Sequence, residues 1–297
     1  MPRVAANSIE IEYDTHGDPA NPPMLLVMGL GAQMTLWPIE LVQGLARRGF
    51  HVIRYDNRDI GLSHKFEGAK APGMVWHLLL TRLGLRPRVP YTLSDMAADG
   101  IGLLDALGIE RAHVVGASMG GMIAQLMAVE HGQRLHSLTS IFSTTGSRKL
   151  PQADKEAIKP LTSPPPSMRE EDLVAHGMRI AQAIGSPGYR PDPEAERQRV
   201  IDNVRRSVYP QGVQRQIAAI IDDGDRTERL KQVNAPTLVL HGEADPLVKV
   251  EGGRATAAAI PGAKLKTIPG WGHDLPLELV DTLADAIAQH ARAAHPA

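Results

Sequence analysis

A chain of 297 residues suits one α/β domain carrying an insertion. Its formal net charge of −1 leaves no basic footprint for nucleic acid, and its lack of cysteine excludes disulfides, thiolate metal sites and cysteine nucleophiles together. The first residues hold no signal-peptide core and no apolar run reaches the length of a membrane span, so a cytoplasmic protein is the expectation.

Ser8–Tyr13 alternates polar and apolar residues, the pattern of a half-exposed edge strand. Met24–Met28 is continuously apolar, as a strand buried on both faces would be, and ends in Gly29-Leu30-Gly31. A helix is expected from about Trp37 to Arg48, then a strand at His51–Asp56. Met74–Leu83 is a short apolar helix candidate between Gly73 and Gly84, followed by Arg86-Pro87-Arg88. Tyr91–Asp95 opens a further helix that ends at Gly108. Strands follow at Arg111–Gly116 and Leu135–Phe142. From Ser143 the composition becomes charged and proline-punctuated. Helices are expected at Arg169–Ala183, Pro193–Val208 and Gly212–Ile221, after a stiff linker at Lys159–Pro166. Pro236–His241 and Lys264–Ile268 restore the strand pattern, and a last helix runs from Leu277 to Ala293. Strands alternating with helices predict a mostly parallel sheet with helices on both faces. Residues 1–142 and 232–297 would form the core, and 143–231 a helical cap.

The chemistry concentrates at Gly116-Ala117-Ser118-Met119-Gly120, a Gly-x-Ser-x-Gly turn between a strand and a helix. Such a turn lifts the serine hydroxyl clear of the sheet and aims the unpaired N–H groups of the helix start at the same place. Ser118 is the candidate nucleophile. Of twelve histidines, His113 and His241 lie in apolar strands and read as structural, while His131 and His290 fall on helices. His273, in the glycine-rich loop Gly270-Trp271-Gly272-His273 after the last strand, is the candidate base. Asp245, pinned by Pro246 after the penultimate strand, is the candidate acid, with Glu243 as runner-up. The expected oxyanion donors are the backbone N–H groups of Met119 and Leu30. Gly29-Leu30-Gly31 lacks the third glycine of a dinucleotide loop.

With these residues assembled, nearly the whole chain resembles the α/β-hydrolase superfamily, and within it aclacinomycin methylesterase and related small-molecule carboxylesterases. The resemblance rests on Leu26-Val27-Met28-Gly29, on Val52–Ser63 and on Ala112–Gly120. Met28 stands where many members carry histidine, and Asp59 where many carry glycine; the methylesterase-like branch shares both departures. Gly68–Pro90 is longer than in that enzyme, which keeps the substrate open. The resemblance implies an eight-stranded, mostly parallel sheet with a helical cap, and a Ser118–Asp245–His273 serine hydrolase of small-molecule esters or lactones. It implies no metal or cofactor.

C–C bond, amide and perhydrolase chemistry stay open on the same three residues, as does a non-catalytic ligand receptor. Relatives that open epoxides or remove halide use aspartate where this chain has Ser118. The insertion, with the Met74–Leu83 helix, is expected to roof the site. Trp76 and Leu79 would then line the pocket beside Gly29 and Trp271, with a partly buried packing helix or a subunit contact as the alternatives.

Overall fold

The continuous apolar runs of this chain become strands covered on both faces. The computed structural model describes residues 2–85 and 87–294. Met1, Arg86 and residues 295–297, which fall in the expected core segments and in the Arg86-Pro87-Arg88 loop, lie outside the described residues. The strands are β1 (Arg3–Ala6), β2 (Ile9–His16), β3 (Pro23–Val27), β4 (His51–Tyr55), β5 (Ala112–Ala117), β6 (Leu135–Ile141), β7 (Thr237–Gly242) and β8 (Lys264–Ile268). They form one sheet in the order β1-β2-β4-β3-β5-β6-β7-β8. β1 and β2 pair antiparallel, as do β2 and β4, and every later pairing is parallel.

The helices are α1 (Ile39–Arg47), α2 (Met74–Arg82), α3 (Leu93–Ala106) and α4 (Met119–Glu130). Between β6 and β7 lie α5 (Lys155–Thr162), α6 (Glu170–Ile184), α7 (Pro193–Arg206), α8 (Pro210–Asp223) and α9 (Thr227–Leu230). The chain closes with α10 (Val250–Ala259) and α11 (Val280–Ala294). The two-residue period of a strand splits β3 between two cores. Leu25 and Val27 join Met96, Leu103, Ile123 and Met127 of α3 and α4. Met24 and Leu26 join Leu41, Leu45, Leu283 and Ile287 of α1 and α11. Each such buried side chain contributes about 1.5–3 kcal/mol. Covered on both faces, the sheet offers chemistry only at its strand ends.

Several expectations need correction. β2 is not an edge strand: β1, too short and mixed to stand out, pairs outside it. α1 begins at Ile39, because Pro38 caps it and Trp37 closes a 3₁₀ turn. His131 caps the end of α4 rather than lying within a helix. Part of the expected linker is helical: α5 runs to Thr162 with Pro160 inside it. Among the described residues no helix is long and apolar enough to cross a membrane.

Candidate active site

Ser118 sits between β5 and α4 with φ 58° and ψ −122°, a region that a non-glycine residue rarely occupies. The surroundings hold it there. Its N–H donates to Ile141 O of β6 (2.9 Å), and its carbonyl accepts from Ser143 Oγ (2.8 Å). Gly116 and Gly120 permit the bend: a Cβ on Gly116 would overlap the Gly120 carbonyl, and one on Gly120 the Val27 carbonyl. The half-buried Ser118 hydroxyl therefore projects from the carboxyl end of β5.

The loops after β7 and β8 meet it. His273 Nε2 lies 2.9 Å from Ser118 Oγ, and His273 Nδ1 lies 2.7 Å from Asp245 Oδ2. A carboxylate only accepts, so Nδ1 carries the proton and Nε2 faces the hydroxyl as an acceptor. Asp245 is 2 % exposed, and its Oδ1 accepts the N–H groups of Leu247 and Val248, both at 2.8 Å. Three hydrogen-bonded groups thus run in line from a buried carboxylate to a half-open hydroxyl. Glu243, the runner-up acid, is exposed and accepts from Thr267 instead. The Phe142 ring lies 4.5 Å from the imidazole, and Trp271 packs behind Phe142.

His241 lies under the acid. Its Nε2 donates to Val248 O (2.8 Å) and is 3.6 Å from Asp245 Oδ2. Burial holds this imidazole below its ordinary pKa, which favours its neutral form.

The loop after β3 approaches from the other side: a Cβ on Gly29 would stand 3.0 Å from Ser118 Cβ. Among the described residues, neither the Leu30 N–H nor the Met119 N–H donates to a protein acceptor. Met119 opens α4, where N–H groups have no partner within the helix.

Two buried glutamines tie this loop to the inserted helices. Gln216 of α8 accepts from Gly31 N–H (2.9 Å) through Oε1 and donates to Arg58 O (3.0 Å) through Nε2. Gln33 donates to Asn203 O (2.7 Å) and Ser207 O (2.9 Å) at the end of α7. Beside them, Arg215 grips Asp59 with two bonds of 2.7 and 2.9 Å. Burial alone would raise the Asp59 pKa; the Arg215 bonds prevail and hold the carboxyl below its usual range. The His273 loop is tied in the same manner. His273 N–H donates to Ile184 O (2.8 Å), Gly272 N–H to Ser186 Oγ (2.8 Å) and Gly188 N–H to Gly270 O (2.9 Å).

Ser118, His273, Asp245 and Gly29 come together as the sequence suggests. Trp271 does not line an opening: it is fully buried, and its indole donates to Asp274 O (2.8 Å). Trp76 and Leu79 are exposed on α2, which packs on α8 rather than on the strand ends. Gln33, Gln216 and Ser143 escape sequence reasoning, while His241 is the buried structural histidine expected of its strand. The available signal for Gln33 was a lone polar side chain between Ala32 and Met34, directly after the glycine loop.

Residues 22–278 match the model of a family described as having the alpha/beta hydrolase fold. The chain is 31 % identical to rhodomycin D methylesterase DauP of Streptomyces sp. (strain C5), over 94 % of this chain and 93 % of that protein. It is 30 % identical to rhodomycin D methylesterase DnrP of Streptomyces peucetius, with the same coverage. Among solved structures, it is similar to a thermophilic esterase from Thermogutta terrifontis, with a TM-score of 0.70 and 25 % identity over 99 % of this chain and 100 % of that one. The sheet order, the serine turn after β5 and these likenesses agree: the chain belongs to the alpha/beta hydrolase fold family.

Proposed function

We propose that this protein is a serine hydrolase that cleaves a small-molecule carboxylic ester or lactone through an acyl-enzyme on Ser118, with methyl esters the first class to test. The observation that carries the reading is the unbroken chain Asp245–His273–Ser118, at 2.7 and 2.9 Å. The methylesterase names of the relatives at 30 and 31 % identity support the substrate class.

Ser118 Oγ attacks the ester carbonyl while His273 Nε2 takes its proton. The carbonyl π pair moves onto oxygen, and the N–H groups of Leu30 and Met119 hold the oxyanion. As the C–O bond to the alcohol breaks, His273 returns the proton to the leaving oxygen. A water then attacks the acyl-enzyme, giving its proton to His273, and the acid leaves as Ser118 regains its hydrogen. Asp245 keeps the imidazole in the tautomer that presents Nε2 and stabilises the imidazolium formed in each half-reaction. Residues 143–231 act as the cap, with α8 bounding the oxyanion side: Val213 stands against Gly31.

Methyl, ethyl and butyl esters of one aromatic acid, with p-nitrophenyl esters and lactones beside them, test this reading. Hydrolysis of methyl esters, abolished in folded Ser118→Ala, is expected. A folded wild-type protein inert across the panel would overturn it.

A further inference from the structure

We propose that α2 and the loop after it form a docking surface for an anionic lipid bilayer, on which the protein lies without crossing it. The first observation is apolar exposure. Val75 is 78 % exposed, Trp76 59 % and Leu83 66 %, and Leu79 and Leu85 are exposed beside them. Such side chains on a helix normally pack inward; here α2 packs on α8 and leaves most of its surface uncovered. The second observation is charge. From Gly68 to Ser94 the chain holds Lys70, Arg82, Arg86 and Arg88 and no acidic residue, although it contains 33 acidic residues in 297. Among the described residues, Lys70, Arg82 and Arg88 are exposed and none has an ion-pair partner.

An apolar centre bordered by unpaired cations matches the interface of an anionic membrane. The acyl region receives Trp76 and the leucines, and the phosphates meet the arginines and lysine. Tryptophan suits the headgroup level, having an apolar body and one N–H donor. A second copy of this chain fits less well. A two-fold contact through α2 would set Lys70, Arg82 and Arg88 against the same residues of its mate, with no acid in the segment to offset them. The nine residues of α2 are too few to span a bilayer, so the helix would lie in the plane of the surface.

Trp37 and Trp271 are fully buried, so Trp76 is the tryptophan that reports contact with lipid. The full chain is sedimented with vesicles of phosphatidylcholine alone and of phosphatidylcholine with phosphatidylglycerol at roughly 7:3, and its fluorescence is read with acyl-brominated lipid. Co-sedimentation is expected with the anionic vesicles, with quenching of tryptophan emission. The Lys70→Gln/Arg82→Gln/Arg88→Gln variant and the Val75→Ser/Leu83→Ser/Leu85→Ser variant should each partition at least about tenfold less, while hydrolysing a soluble ester within about twofold of wild type. Three results would overturn the proposal: wild type left in the supernatant with both vesicle types; binding without quenching; or a dimer in solution that both variants dissolve, which would assign the surface to a second copy.

Discussion

α8 and α2 pack against each other, yet they relate to the chemistry in opposite ways. α8 sends Arg215 and Gln216 inward, both buried, to Asp59, Arg58 and the backbone of Gly31. α2 makes no side-chain hydrogen bond to the core among the described residues and turns large apolar side chains to the outside. The more apolar helix is therefore the outer one. Apolar content shows that a surface wants covering; buried polar partners show where an element is fixed. The inserted helices are fixed by their polar contacts to both loops that flank Ser118.

The sharpest tests separate the chemical groups from those that hold them. Asp245→Asn should cost about 10⁴-fold in kcat, since an amide beside Nδ1 favours the wrong imidazole tautomer. Glu243→Gln should stay within about twofold, because a surface substitution away from the hydrogen-bond chain changes little. Steady-state kinetics on one activated ester decides between them, and the reverse ranking would move the acid to Glu243.

Gln216→Leu should come next. It removes the acceptor for the half-buried Gly31 N–H and the donor to the buried Arg58 O, a loss of about 1–3 kcal/mol. If Gln216 sets the oxyanion loop, kcat should fall about 10–100-fold with KM little changed, as expected when a transition-state donor is misplaced. A stability loss with unchanged kcat would make the glutamine a cap tether only.

Acidification should act on stability. Burial lowers the pKa of His241 and of His290, whose Nε2 donates to Leu138 O and Pro236 O. The unfolded chain, with histidines near the ordinary value of about 6.5, then binds more protons than the folded one. Stability should thus fall as pH drops below about 6.5 towards the lowered folded values, and be level above it. Thermal midpoints at pH values from about 7.5 to 5.5 check this, and His290→Gln should flatten the decline; an invariant midpoint would contradict it.

The smallest effect belongs to the outer helix. Leu83→Ser should change stability by less than about 0.5 kcal/mol, because its side chain is mostly exposed. Denaturant unfolding that showed a loss of several kcal/mol would erase the contrast between α2 and α8.

Much of the site was legible because its signals are local. Gly116, Ser118 and Gly120 encode a bend that only small or strained residues can make, and His273 stands in a glycine-rich loop directly after the last strand, where a Cβ on Gly272 would overlap the Gly185 carbonyl. Asp245 was separable from Glu243 by its proline. The fixing residues were not legible, since a glutamine at position 216 carries no pattern until Gly31 is known to lie 2.9 Å away. Pro160 hid α5 because a proline argues against a helix interior, although a helix of eight residues tolerates it. Trp271 misled for a related reason: proximity in sequence to a reactive histidine does not set which way a side chain points.

Ser118, activated by His273, is the proposed nucleophile. A fluorophosphonate probe, followed by intact mass and peptide mapping, tests it most directly. A single adduct is expected on the peptide bearing Ser118, formed with loss of ester turnover and far more slowly in His273→Ala. An unlabelled Ser118 in protein that still hydrolyses the ester, or an adduct on another residue that tracks the loss of activity, would contradict it.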